Sequence, residues 1–236
     1  MKKNSFLISI CIPCKNRTYD LKKIMPHIIK SANASPPVEI SILNYNSQDD
    51  LDDYIKTVRR TEYLAEGNIL SYAKYTARPY YHLTHAQNLS SLFSKGEFIV
   101  SFLTDIIPAP DFFKFVRNSL EADKDIVWMQ CSHLKGVIVC RKEEFIACGG
   151  YDERIEFYGP GDKDIDVRLH RRGAKLKKMP NRLLDSIYTS KEEKFKNYRP
   201  GVTRRQMRKL MRVFYEENQA NNTLVANKGK EWGKWI

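Results

Sequence analysis

No stretch of this sequence approaches the roughly 18 to 20 uncharged apolar residues that a membrane-spanning helix needs. The apolar run that follows Met1-Lys2-Lys3-Asn4 is also too short for a secretory signal. A cytoplasmic protein is therefore expected. Cysteine is scarce, five residues in 236, and odd in number, which argues against a disulfide framework and suits a reducing compartment. Cys11-Ile12-Pro13-Cys14 is spaced for redox chemistry or, with Cys131 and His133, for zinc. Cys11, however, belongs to an alternating strand pattern, so buried, unreactive thiols are expected. Repeats and low-complexity blocks are missing too, and at this length one α/β core with an appendage is the default.

Acidic charge is thin in one place. Residues 1–167 carry 21 Lys and Arg against 22 Asp and Glu, whereas residues 168–236 carry 19 against 6, so the last third holds the whole excess of +12. That stretch is the expected surface for an anionic partner, either a membrane face or a nucleic acid.

Strand, loop and helix signals recur in order. Phe6–Ile12 is an apolar, β-branched run ended by Pro13, followed by a helical pattern through Leu21, Ile24, Met25 and Ile28. Val38–Leu43 repeats the strand signal, and Asn44-Tyr45-Asn46-Ser47 precedes an acidic helix start at Asp49–Asp53. Further strands are predicted at 69–75, 98–103, 126–130 and 136–140, and helices at 86–94, 142–148 and 162–172. The strand at 98–103 is very apolar and should lie centrally. This alternation implies a largely parallel sheet, whose ligands gather beyond the carboxyl ends of the strands, bringing Asn16, Asn46 and Asp105 to one edge. Near the C-terminus, Thr203 and Gln206 form a capping-box pair. Met207, Leu210, Met211 and Phe214 share one face of the helix that follows, and Arg204, Arg205, Arg208, Lys209 and Arg212 crowd the others. Such a helix can lie on an anionic membrane or along phosphates, or simply present a solvated face.

Five segments, in one order from Ser9 to Gly173, resemble the inverting GT-A glycosyltransferases, in particular family 2 and the β-1,4-galactosyltransferases. Ile12-Pro13-Cys14-Lys15-Asn16-Arg17 is similar to the Pro-x-Arg-Asn-Arg opening. Asn44-Tyr45-Asn46-Ser47 occupies the nucleoside loop, with Tyr45 where an acid is expected. His85-Ala86-Gln87-Asn88-Leu89 stands for the Ala-Arg-Asn helix, with Gln87 for Arg. Phe102-Leu103-Thr104-Asp105 aligns with the Asp-x-Asp segment, with Leu103 in place of the first Asp. The fullest match is Gly149-Gly150-Tyr151-Asp152-Glu153 followed by Gly159-Pro160-Gly161-Asp162-Lys163-Asp164-Ile165-Asp166.

The resemblance implies a single GT-A (Rossmann-like) α/β domain at 1–185, its central sheet mixed but mostly parallel and flanked by helices. Nucleotide-sugar binding would fall at about 1–110, the acceptor part at 111–185, and a basic helical arm at 186–236. Asp162 would be the catalytic base. Pro13, Cys14, Lys15, Asn16, Arg17, Asn46, Ser47, Gln87, Thr104 and Asp105 would bind the donor, UDP-linked by resemblance. Gly150, Tyr151, Tyr158, Gly161 and Asp164 would face the acceptor, although acids such as Asp164 and Asp166 also favour any first helical turn. Asp105 would hold Mn or Mg. The family's later His ligand should fall near Ile187–Lys191, where none is present. The implied acceptor is a glycan or lipid-linked saccharide, which would put the enzyme at the inner face of a membrane. The alternatives are a nucleic-acid acceptor on the basic arm and a sugar-nucleotide-binding protein without catalysis.

Overall fold

The computed structural model describes residues 6–235; the N-terminal segment considered for a signal, Met1 to Asn4, lies outside the described residues. Strands β1 (Ile8–Cys14) and β2 (Val38–Tyr45) are buried at every position, as strands covered on both faces must be. With β3 (Ile69–Tyr75), β4 (Phe98–Ser101), β6 (Ile126–Cys131), β7 (Ile138–Arg141) and β8 (Lys175–Met179) they form one sheet in the order β3-β2-β1-β4-β7-β6-β8. Strands β1 to β4 run parallel, β7 runs antiparallel to both its neighbours, and β6 pairs parallel with β8. β4 is the middle strand, as its composition predicted. β5 (Ile106–Pro108) and β9 (Leu184–Ser186) make a separate antiparallel pair.

β1 runs two residues beyond Ile12, the expected last residue, and so takes in Pro13 and Cys14. Its ladder with β4 ends at Cys11, so the missing N–H of Pro13 removes no bond on that side. Alternation along β1 divides the core. Ile8, Ile10, Ile12 and Cys14 face α1 (Thr18–Asn33), α2 (Leu51–Thr61) and α4 (Phe112–Ala122), while Cys11 faces α5 (Lys142–Ala147) and α6 (Gly161–Arg171). α3 (Leu83–Phe93) joins this second face through Ala86 and Leu89, packed on Leu43 and Tyr45. A spacing of three thus puts Cys11 and Cys14 on opposite sides of the sheet, and burial pushes both thiols up to about 12. All five cysteines are buried and free.

After a short helix α7 (Lys191–Phe195), the basic arm becomes α8 (Arg204–Ala220), which begins with the expected Thr203–Gln206 capping box. Its Met207 and Met211 pack on Ile155, Phe157 and Tyr198, whereas Leu210 is half exposed. The approach is close: a Cβ on Gly159 would come within 2.5 Å of Met211 Cβ. The tail then returns to the core. Ala226 N–H donates to the Cys148 carbonyl, Trp232 packs on Phe145, and Trp235 on Tyr75 and Phe93.

Candidate functional site

A cleft of about 650 Å³ opens beyond the carboxyl ends of β1 and β4. The chain turns from β1 to β2 on one side and enters β4 on the other, so the cleft lies at the topological switch point of the sheet, where open α/β folds hold ligands. Pro13, Lys15 and Arg17 line it from the β1 loop, Gln87 from α3, Thr104 and Asp105 from the loop after β4, and Tyr158 and Asp162 from the segment entering α6. These residues are far apart in sequence, and parallel topology brings them to one edge.

The β1 and β2 loops are tied together beneath the cleft. Asn16 and Asn46 both adopt left-handed backbone (φ 50° and 54°), which asparagine tolerates better than most residues. Asn16 N–H donates to Ser47 Oγ at 2.9 Å, and Lys15 Nζ donates to the Asn46 carbonyl at 2.8 Å. Burial lowers the Lys15 pKa. Asn197, which lines the cleft, donates to the Lys15 carbonyl and accepts from Asn16. Cys14, Asn16, Asn46 and Ser47 are therefore the layer that shapes the loop and do not themselves line the cleft. Tyr45, at the position of the expected acid, is fully buried and shares a 2.8 Å hydrogen bond with His85 Nδ1.

Asp162 stands in the first turn of α6 with its carboxylate against Gly136, where an added Cβ would lie 3.2 Å from Oδ2. Desolvation raises its pKa to about 6, with the Gln87 amide pulling the other way. A carboxylate so tuned takes a proton near neutral pH, as a general base must. Tyr158 forms an aromatic wall with Phe195, their ring centroids 5.1 Å apart, and the Arg204 guanidinium lies 5.3 Å from the Tyr158 ring.

The other acceptor-side residues sit elsewhere. Tyr151 is fully buried and donates to Ser101 Oγ. Asp164, also fully buried, pairs with Arg168 at 2.8 Å and accepts from Asn218 of α8; Arg168 in turn donates to the carbonyls of Cys148 and Gly150. Gly149 and Gly150 (φ 75° and 61°) receive the C-terminal tail: a Cβ would come within 2.1 Å of the Ala226 carbonyl oxygen at the first and 2.6 Å of the Trp232 ring at the second. Gly161 is buried against Thr84. The Gly-Gly-Tyr and Asp164 positions thus hold the frame behind Asp162, and the cleft does not touch them.

Asp105 is the residue implied for a metal. Its Oδ2 lies 3.0 Å from Lys194 Nζ and 3.8 Å from Arg17 Nη2. No cluster of three His, Cys, Asp or Glu side chains that could hold an ion occurs among the described residues. At a diphosphate a hard cation takes about six oxygen ligands, one or two of them protein carboxylates and the rest from phosphate and water. Asp105 is the one carboxylate at this position, and its Oδ2 is already shared by two cations. The residues present do not fit a divalent ion. Lys194, Lys135, Tyr81 and Tyr198 also line the cleft. Sequence reasoning did not single them out, and for Lys194 the only available signal was the basic composition of the last third.

The architecture is that of an α/β protein with a ligand crevice at its switch point, and comparison of coordinates makes it more specific. It is similar to the mannosyltransferase PcManGT of Pyrobaculum calidifontis in complex with GDP-Man and Mn2+ (TM-score 0.65, 15% identity, 94% of this chain and 73% of that one). It is also similar to residues 1–349 of S. aureus TarS (TM-score 0.57, 11% identity, 73% of this chain) and to the catalytic domain of Drosophila beta1,4-galactosyltransferase 7 in complex with xylobiose (TM-score 0.51, 11% identity, 88% and 79%). The chain spans 57% of the TarS chain's length. It has the GT-A fold, as its motifs implied; at these identities the likeness is one of fold alone. No protein-family model matches the sequence, nor does any curated protein.

Proposed function

We propose that this chain is an inverting glycosyltransferase, which moves a hexosyl group from a nucleotide-sugar, UDP-linked by resemblance, to an acceptor hydroxyl. The observation that carries the reading is Asp162, a partly desolvated carboxylate of pKa about 6 at the head of a helix, facing the cleft that Lys15, Arg17 and Asp105 line. An acceptor hydroxyl must lose its proton as it attacks the anomeric carbon. Asp162 takes that proton, the attacking oxygen forms the new bond on the face opposite the nucleotide, and the diphosphate leaves with the old one. The basic β1 loop offsets its growing charge. Tyr158 offers a flat face for a sugar ring. The fold neighbours support the class, since PcManGT is found in complex with GDP-Man, and TarS with UDP and with UDP-GlcNAc.

A glycan or lipid-linked saccharide suits the acceptor side. Arg204 lines the cleft and opens the basic stripe of α8, where Leu210 and Val213 lie half exposed among Arg205, Arg208, Lys209 and Arg212, a pattern suited to an anionic membrane surface. No described helix is long and apolar enough to cross a membrane. A non-catalytic sugar-nucleotide binder is the second reading, motivated by Leu103 and Gly161 at positions where the related motifs carry acids.

A panel of nucleotide-sugars, assayed by thermal shift and by nucleotide release, tests the proposal. One donor should stabilise both the wild type and D162N, while release falls about 100-fold or more in D162N. Wild-type turnover in D162N would remove the base assignment. Binding without transfer or hydrolysis by the wild type with any acceptor would establish the second reading.

A further inference from the structure

We propose that a pair of side-chain cations, Lys194 and Arg17, takes the place of a divalent ion at the donor diphosphate, with Asp105 as the counter-ion that holds the pair until the diphosphate arrives. The inference rests on the nucleotide-sugar reading of the cleft. Its basis is the way Asp105 is engaged. One oxygen, Oδ2, faces both Lys194 Nζ at 3.0 Å and Arg17 Nη2 at 3.8 Å. Arg17 is fixed from behind, since its Nε donates to Asp20 at 2.5 Å and its Nη2 to Thr189 Oγ1 at 3.2 Å. Lys194 is 42% exposed and free to follow a ligand.

Other possible ligands near Asp105 are spent. His133 lines the cleft, but Nδ1 contacts Cys131 Sγ at 3.0 Å and Nε2 lies 3.1 Å from the Leu184 carbonyl. Leu103 stands where a second carboxylate would be needed, and an ammonium beside Asp105 repels an incoming cation. The charge balance is right for an anion instead. Five cationic side chains, Lys15, Arg17, Lys135, Lys194 and Arg204, line the cleft against two carboxylates, Asp105 and Asp162. A diphosphate diester carries two negative charges, which two cations match, and the same pair meets the extra charge that develops on the leaving diphosphate. Phosphate oxygens displace Asp105 as the partner of Lys194, and no covalent step is involved.

Isothermal titration with UDP and GDP, and with inorganic pyrophosphate, in EDTA and then in MnCl2, tests this. We expect the preferred nucleotide to bind equally well in both media. K194A should weaken it about ten-fold or more, K194R should recover most of the loss, and D105N should tighten binding several-fold by removing the competing carboxylate. Circular dichroism checks that the variants are folded. Binding that needs Mn and disappears in D105N would overturn the clamp and leave the donor reading standing, and so would EDTA-resistant binding that K194A and R17A leave unchanged. If neither nucleotide binds in either medium, the donor reading itself fails, and the clamp with it.

Discussion

Replacing Asp162 by asparagine should make the protein more stable while removing transfer. The native carboxyl titrates at about 6 where an ordinary aspartate titrates at 3.8, because burial penalises the charged form. Between those two pH values the folded state binds more protons than the unfolded state, so stability falls as pH rises from about 4 to about 6 and stays at the lower level above that. Two pKa units correspond to about 3 kcal/mol, and because Asp162 keeps one side toward the cleft, solvent screening brings the expected penalty to about 1 to 3 kcal/mol. Asparagine carries no such charge, and Gln87 Oε1, buried without a partner, can accept from the new amide. At about 2 to 4 °C per kcal/mol for a chain of this size, D162N should melt roughly 2 to 12 °C above wild type at pH 8 and level with it near pH 4. Thermal melts followed by circular dichroism over pH 4 to 8 measure the difference. A variant less stable at pH 8, or a difference that does not change with pH, refutes the reasoning. Transfer by the wild type should fall off below about pH 6, where the base is protonated.

G150A should be severely destabilised, by about 3 kcal/mol or more, because its Cβ would sit 2.5 Å from Asn88 Oδ1 at φ 61°; urea denaturation will show it, and a wild-type midpoint would mean the tail does not pack there. Reversing Arg205, Arg208 and Arg212 to Glu should abolish binding to vesicles containing anionic lipid in low salt and leave the melting temperature within a few degrees, since all three are exposed; wild-type-like vesicle binding would end the membrane reading of α8.

Most of the frame could be read in advance because its signals are local. β3 begins and ends where its apolar run does, and the capping box announces α8. α4 went unread although Phe112, Phe113, Val116 and Leu120 are all buried: this short helix follows prolines that read as loop. β8 is hidden by four exposed or half-exposed positions among its five residues, which blunt any strand pattern. At the site, residues on the strand-end loops were accessible to motif reasoning, and Pro13, Lys15, Arg17, Gln87, Thr104, Asp105, Tyr158 and Asp162 do line one cleft. Motif position alone could not separate a residue that faces the cleft from one that braces it. Tyr151 and Asp164 share a block with Asp162, but helix and turn geometry aim them into the core. Lys194 arrives from a segment nearly ninety residues after Asp105, and such a meeting is visible only in three dimensions.

The distribution of the thiols has a practical consequence. Cys14 and Cys131 lie on the side of the sheet covered by α1, α2 and α4, and Cys11, Cys140 and Cys148 on the side covered by α5 and α6. With the Cys11 and Cys14 thiols held near 12 and all five shielded from solvent, alkylation in native buffer has to wait for the covering layer to lift. The rate at which each cysteine is labelled, read peptide by peptide in a mass spectrometer, becomes a clock for its own layer. The unmodified protein thus carries reporters on both faces of its sheet, enough to tell whether the two helical layers detach together or one before the other.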